Sequence, residues 1–480
     1  MTEPAIGATA TLTEELRSAL HAAVGAASVA EGADISADDT HDEALTAEPV
    51  VPLAVVRPAS TAEVAAVLVA SDRARVPVTA RGSGTGLSGA CRPRPDGIVV
   101  AFDRMRSILE IDVDNQMAVV QPGVTLRELD EALAPLHLVY PVFPGENSAS
   151  LGGNVNTNAG GMRAVKYGVT RHHVLGLEAV LPSGEVIRTG GKVVKHTSGY
   201  DLTQLIVGSE GTLALVTEIT LKLTPRLPHA ATVLVPFATL DEVTAAVPHL
   251  VRSGVGPLVL EYIDILTMAA VTSFASLDLG IPDAVKDTAL AYLVVVLEHR
   301  DSERLDEDVA LVAELTTGHG ALDVYVLPPS AGAALIDARE KAFWVAKANN
   351  ANDIIDVVVP RASIPDFMTA VSDIAAASGS WITGCGHAGD GNVHLSIFQA
   401  DPAVRKAALR QVFEQGIALG GAISGEHGIG TEKQALFLEL SDPAAIALMR
   451  RIKTAFDPNG ILNPGTLLGE PVTTPPQEIR

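Results

Sequence analysis

The chain has 480 residues, 47% of them hydrophobic, which makes it too long for one compact core and too apolar for a disordered polymer. Its 34 basic residues against 57 acidic ones leave a net charge of −23, a field that repels a phosphate backbone or an anionic membrane surface, so nucleic acid is not an expected partner. Cys91 and Cys385 lie too far apart in the chain to suggest a disulfide framework or a paired thiolate metal site, residues 1–10 lack a signal-like basic and apolar pattern, and no stretch approaches about 18 unbroken apolar residues, so a reducing, cytoplasmic setting is expected.

Taken in chain order, residues 11–30 carry a helix-like spacing (Leu12, Leu16, Leu20, Val24), and the acidic stretch 31–48 holds little to bury. A helix and an exposed connector are therefore expected over residues 1–50. From Leu53 a β-rich run (Val55, Val56), a helix opened by Ser60 and Thr61, and a strand over 76–79 make a βαβ-type beginning. Glycines crowd residues 82–89, 145–161 and 208–211, with β-branched runs between them at 97–101, 117–121 and 174–181. Past Leu227 helix-like stretches (239–253, 302–318, 331–348, 402–419) alternate with strands (259–262, 290–297, 354–359, 394–397). The expected class is α+β, with a glycine-loop domain over 51–226, a second α+β domain over 227–450, and a turn-rich segment over 451–480 whose end is expected to be mobile.

The first glycine loop, Arg81-Gly82-Ser83-Gly84-Thr85-Gly86-Leu87-Ser88-Gly89, follows a strand. Alternating glycines let successive backbone N–H groups turn toward one anion without Cβ obstruction. The spacing is not the dinucleotide GxGxxG, and alone it is also that of a glycine-rich hairpin. A second dense set of small and amide residues, Gly145, Ser148, Ser150, Gly152, Gly153, Asn154, Asn156, Asn158, Gly160 and Gly161, makes a two-sided clasp on a pyrophosphate plausible chemistry.

These loops, together with Pro58-x-Ser60-Thr61-x-Glu63-Val64, Pro122-Gly-Val-Thr125, Lys166-Tyr-Gly-Val-Thr-Arg171, Gly199-Tyr-Asp-Leu-Thr203 and Val207-Gly-Ser-Glu-Gly-Thr212, resemble the vanillyl-alcohol oxidase/p-cresol methylhydroxylase superfamily in its glycolate oxidase and D-lactate dehydrogenase branch. The resemblance runs from about Val55 to Leu468. It implies a two-part FAD-binding domain of that type, a substrate (cap) domain, and a C-terminal segment returning to the flavin. It also implies an FAD diphosphate on Arg81, Gly82, Ser83, Gly84, Thr85, Gly86 and Ser88. Pro144, Gly145, Ser148, Gly152, Gly153, Asn154, Asn158, Gly160, Tyr167, Gly168, Glu210 and Gly211 would line the rest of the groove, with Val216 at the adenine end and Asn463 near the ring. The first loop has no histidine to tether a flavin, so non-covalent FAD is expected.

His387-Ala-Gly-Asp-Gly-Asn-Val-His394 places two histidines around a turn-forming tetrad that can bring both side chains to one site. Singly, each reads more readily as an ordinary hydrogen-bonded histidine than as a ligand. With Glu426 of Ser424-Gly-Glu426-His427-Gly-Ile-Gly430 they form a set suited to zinc, manganese or iron(II), leaving His427 free for proton transfer. Resemblance assigns His387, His394 and Glu426 to a divalent metal, zinc or manganese foremost, and His427 to the catalytic base. Asp390 and Asn392 are expected to hold the turn through Asx-type bonds. Resemblance places a substrate-carboxylate-binding arginine at Arg339, although a surface helix with Arg339 paired to a neighbouring acid reads as well from pattern alone; Arg361 is a second candidate. Where the 2-hydroxyglutarate branch carries a lysine shortly before the counterpart of Pro360, this chain has Ile354-Ile-Asp356, which weakens the case for a second substrate carboxylate.

The resemblance thus implies an FAD-dependent dehydrogenase of a D-2-hydroxy acid such as D-lactate or glycolate. Alternatives are a redox-neutral flavoenzyme like alkylglycerone-phosphate synthase, a D-2-hydroxyglutarate dehydrogenase, a flavin-free two-His-one-carboxylate iron oxygenase, and a non-catalytic flavoprotein. No nicotinamide or iron–sulfur motif encodes the electron acceptor, which leaves a quinone, a cytochrome, an electron-transfer flavoprotein or a partner subunit, and with them a peripheral membrane association or a homodimer.

Overall fold

The computed structural model describes residues 11–469; the two chain ends, including the end of the tail expected to be mobile, lie outside the described residues. Four strands open the fold, β1 (Val29–Ala30), β2 (Ala54–Val56), β3 (Val78–Arg81) and β4 (Ile98–Ala101), in spatial order β1-β2-β4-β3. β2, β4 and β3 run parallel, and parallel strands need a crossover, which helix Thr61–Ala74 provides. The Ser60 hydroxyl accepts from Glu63 N at 3.3 Å and starts that helix. Val64, Val67 and Leu68 pack with Val78, Ile98 and Val100, and with Leu16 and Leu20 of helix Glu14–Val24. The far end of the chain joins the same layer: Leu462 bridges Val78, Asn463 N donates to Val78 O at 2.8 Å, and Ile461 and Leu462 enter the core.

The stretch 31–48 is an exposed connector only as far as residue 38. Asp39, Thr40, Asp42 and Ala44 are buried, Glu43 N donates to Gly86 O at 2.8 Å, and Asp42 accepts from Ala44 N and Cys91 N. Asp39 pairs with Arg57 at 2.6 Å. Its carboxylates are buried because each has found donors, which an absence of hydrophobic pattern does not reveal.

The next seven strands are β5 (Ile108–Asp112), β6 (Met117–Val120), β7 (Leu138–Val139), β8 (Val174–Val180), β9 (Val186–Gly190), β10 (Leu215–Lys222) and β11 (Thr224–Pro225). They form an antiparallel sheet β5-β6-β10-β8-β9 and a small β7–β11 pair.

β12 (His229–Phe237), β13 (Val259–Asp264), β14 (Ala291–His299), β15 (Tyr325–Leu327), β16 (Asp353–Val358), β17 (Trp381–His387) and β18 (Asn392–Phe398) build an antiparallel sheet in the order β15-β12-β14-β13-β17-β18-β16. Strand alternation gives it two apolar faces. Val233, Val235, Leu260, Tyr262, Leu293 and Val295 pack with helices Leu240–Arg252, Ile364–Ser378 and Pro402–Ala418 on one side. Leu234, Ile263, Tyr292, Val294 and Cys385 pack with helices Ile265–Phe274 and Pro329–Glu340 on the other. The helix expected over 331–348 is two helices, Pro329–Glu340 and Ala342–Ala348, meeting at Lys341.

On that second face the register sets chemistry side by side. Glu261 of β13 stands opposite His387 of β17, Cys385 opposite His394 of β18, and His394 opposite Asp356 of β16. Four neighbouring strands thus present two imidazoles flanked by two buried carboxylates, because residues paired across antiparallel strands share a face.

Candidate active site

The β17–β18 turn positions the two histidines. Asp390 Oδ1 accepts from Asn392 N at 3.1 Å, the Asx-type bond that holds the reversal. A Cβ on Gly391, at φ +93°, would lie 2.0 Å from Val359 O, so only glycine fits there. Asn392 does not hold the turn through its side chain, contrary to the expectation for it. Both polar atoms of its amide are buried without a hydrogen-bond partner among the described residues, and the amide turns toward Gly425, where a Cβ would lie 2.3 Å from Asn392 Oδ1.

Loop 424–427 brings the third donor and His427. Asp356 Oδ2 accepts from Gly425 N at 2.7 Å, Glu426 N at 2.7 Å and His427 N at 3.2 Å. Its Oδ1 accepts from Ser424 Oγ at 2.9 Å and Lys433 Nζ at 2.8 Å. So anchored, the loop sets Glu426 Oε1 3.1 Å from His387 Nε2 and 3.2 Å from His394 Nε2, with the two Nε2 atoms 3.1 Å apart. The His394 and His427 rings lie 5.0 Å apart, centroid to centroid.

Electrostatics fit this donor set to a cation. His387 Nδ1 is 2.5 Å from Glu261 Oε1, which fixes the tautomer and leaves Nε2 facing His394 and Glu426. Burial disfavours the charged form of His387, but Glu261 and Glu426 outweigh it and raise its pKa well above the usual histidine value. Against the same burial penalty, His387 holds the Glu426 and Glu261 carboxyls below their usual range. Two nitrogens and a carboxylate oxygen converging here could hold a divalent ion with ligand positions left over. His427 behaves oppositely: burial pushes its pKa down to about 4, and the Asp356 carboxylate, whose Oδ1 lies 3.3 Å from its Nδ1, offsets this only in part. It is an unprotonated imidazole at neutral pH.

Arg339, in the last turn of helix Pro329–Glu340, is buried rather than on a surface helix, and its Nη2 lies 2.6 Å from Glu261 Oε2. Its Nε has no hydrogen-bond partner among the described residues, and the guanidinium borders a cavity of about 350 Å³ shared with His387, His394, Glu426 and His427. Arg361 is exposed and does not line this cavity.

The two glycine loops clasp each other. Ser83 N donates to Ser150 Oγ at 3.1 Å and Ser150 N to Ser83 Oγ at 3.0 Å, and a Cβ on Gly82 would lie 2.1 Å from Ser150 Oγ. Between them runs a groove bordered by Gly82, Ser83, Gly84, Thr85, Gly86 and Ser88 on one side and Gly153, Asn154 and Gly160 on the other, continuing past Gly152 to Gly211 and Val216. Asn154 Nδ2 is buried there without a partner among the described residues. At its other end the groove meets the histidine cavity, since Leu87, Pro144, Glu426 and His427 border both and Gly145 lines the latter. Contact is close: a Cβ on Gly160 would lie 2.7 Å from Glu426 Oε2. Such a groove of bare backbone with an orphaned amide donor suits a dinucleotide.

Other expected residues lie beside these cavities. Arg81 is buried with its Nε 3.5 Å from Asp39 Oδ1, exposed Ser148 bonds to Glu146, and Asn158 Oδ1 accepts from Arg171 N. Tyr167 donates to Glu298 at 2.6 Å, and Gly168 takes a φ of +78° next to it. Glu210 borders the groove, but its carboxylate accepts from Ile429 N and Gly430 N, each at 2.7 Å, tying the first half of the chain to the His427 loop. Asn463 Nδ2 donates to Ala90 O and Glu210 O, so it braces the glycine loops.

Sequence reasoning missed Glu261 and treated Asp356 only as a departure from a lysine. A signal existed for both: each is a carboxylate in a strand interior with apolar neighbours on both sides, Val259-Leu-Glu261-Tyr-Ile and Ile354-Ile-Asp356-Val, the strands' other acids (Asp264, Asp353) standing at an end, and a charge in such a setting is retained only with a partner.

Comparison with known proteins bears on the same residues. The family described as FAD linked oxidases, C-terminal domain, matches residues 226–467, and the FAD binding domain family matches residues 52–190. The chain belongs to the FAD-linked oxidases. Within this family it is 57% identical over 447 residues to an uncharacterized FAD-linked oxidoreductase of Mycobacterium tuberculosis, covering 93% of this chain and 97% of that one. It is 38% identical to the glycolate oxidase subunit GlcD of Bacillus subtilis (88% and 90% covered) and 35% identical to a D-lactate dehydrogenase of Anaerostipes hadrus (91% and 94%). The fold is that of p-cresol methylhydroxylase, with a TM-score of 0.78 at 17% identity over 96% of this chain and 98% of that one. An alkyldihydroxyacetonephosphate synthase shares it, with a TM-score of 0.74 at 18% identity over 95% and 86%. FAD is therefore the cofactor of this oxidoreductase. No helix among the described residues is long and apolar enough to cross a membrane.

Proposed function

We propose that this FAD-linked oxidoreductase oxidises a D-2-hydroxy acid to the 2-keto acid, with His387, His394 and Glu426 holding a divalent metal, Arg339 the substrate carboxylate and His427 acting as base. The observation that carries this reading is the convergence of the three ligand atoms within 4.8 Å of one another beside an unprotonated His427, in a cavity that opens onto the glycine groove.

FAD held without a covalent tether along the groove would supply a two-electron hydride acceptor, and a divalent ion held by His387, His394 and Glu426 would supply Lewis acidity beside the substrate hydroxyl. The chain's own residues do the rest. Arg339 orients the carboxylate through the guanidinium donors that Glu261 leaves free, its Nε among them. His427 takes the hydroxyl proton, on a loop that Asp356 anchors through the backbone N–H of His427. Glu261 holds both His387 and Arg339, so ligand and carboxylate anchor share one support. Loss of that proton together with a hydride leaves the 2-keto acid.

Replacing His427 with Ala tests the assignment. Flavin reduction by the substrate is expected to slow by about 10²–10⁴-fold, with the visible flavin spectrum and metal content unchanged. A variant that reduces flavin at the wild-type rate removes His427 from the mechanism.

A further inference from the structure

Resting on the 2-hydroxy-acid reading, we propose that the site is built for acids whose side chain is apolar and longer than the methyl of lactate. The cavity does not end at the polar cluster. From Arg339 and the histidines it continues between helices Ile265–Phe274 and Ala342–Ala348 and over the ends of β17 and β18. Its walls there are Ala270, Phe343, Ala346 and Phe398, and at its rim Leu266 and Trp381 are 46% and 57% exposed. Glycolate or lactate would occupy only the polar end and leave this apolar wall wetted.

Two further features set the chemistry of the occupant. Three of the polar side chains in this part of the wall already have protein partners: Thr383 Oγ1 donates to Asp264 at 2.7 Å, Thr267 Oγ1 lies 3.1 Å from Thr383 Oγ1, and Asn349 Nδ2 donates to Val345 O at 2.8 Å. Arg339 and the histidines are the cationic groups among the described lining residues, so a second substrate carboxylate at the far end would meet no counter-charge. An uncharged alkyl or aryl chain matches that wall. Ala270 and Ala346, small residues on facing helices, keep it open.

The test is anaerobic flavin reduction of the FAD- and metal-loaded protein by glycolate, D-lactate, D-2-hydroxybutanoate, D-2-hydroxyhexanoate, D-phenyllactate and D-2-hydroxyglutarate. The second-order rate constant is expected to rise about fourfold per methylene buried beyond lactate, with D-2-hydroxyglutarate below D-lactate. Calorimetric binding of the corresponding 2-oxo acids is expected to follow the same order without turnover, and Ala270→Phe is expected to flatten both series. A flat or falling series with D-lactate active overturns this inference and leaves the 2-hydroxy-acid reading standing. Failure of every acid to reduce the flavin overturns both.

Discussion

Asp356 anchors His427 through the backbone, its Oδ2 accepting from the N–H at 3.2 Å, while its Oδ1 lies 3.3 Å from the ring Nδ1, which has no hydrogen-bond partner among the described residues. The same carboxylate takes three more donors from loop 424–427 and Lys433 from beyond it. One buried charge therefore fixes both Glu426 and the loop that carries the histidine beside it.

Asp356→Asn is expected to leave Lys433 uncompensated and to destabilise the protein by about 3–5 kcal/mol, measured by urea unfolding. The surrounding donors, His427 and Lys433 foremost, hold the Asp356 carboxyl well below its usual range against burial. A depressed folded-state pKa contributes stability above the unfolded value and loses it as pH falls. The gap between wild type and Asp356→Asn should therefore stay constant from about pH 7 to 5 and narrow below about pH 4.

Glu261→Gln removes the charge behind His387 Nδ1 while preserving shape. Metal affinity is expected to fall about 10–100-fold, read by competition with a chromogenic chelator, with the flavin spectrum intact. Unchanged metal affinity would show that Glu261 serves only Arg339.

Gly82→Ala places a Cβ 2.1 Å from Ser150 Oγ, the atom that clasps Ser83 N and caps helix Leu151–Thr157. Losing that cap and clasp is expected to weaken FAD binding by about tenfold, followed by fluorescence of released flavin. The metal site, built on other strands, should keep its affinity.

Much of this arrangement was legible in the sequence because it is local. Ser60 caps the helix it was expected to open, and the Gly389–Gly391 turn brings His387 and His394 together as its composition suggests. What stayed hidden depends on pairing across long sequence distances. Glu261 reaches His387 through the β13–β17 register, 126 residues away, and Asp356 reaches His427 across 71. The acidic stretch near Asp39 and Asp42 reads as solvated until Arg57 and the Cys91 N–H are placed beside it. Asn392 offered the opposite error, since its turn-forming composition gave no sign that its amide points away from the turn.

Metal-assisted oxidation of a D-2-hydroxy acid is tested most directly by anaerobic titration of the purified flavoprotein with D-2-hydroxy acids before EDTA treatment, after it, and after restoring Zn²⁺ or Mn²⁺. The expected result is bleaching of the flavin band by at least one D-acid, lost with EDTA and regained with metal. Bleaching that survives complete metal removal would contradict the role of His387, His394 and Glu426, and a bound flavin that no 2-hydroxy acid bleaches would contradict the substrate class.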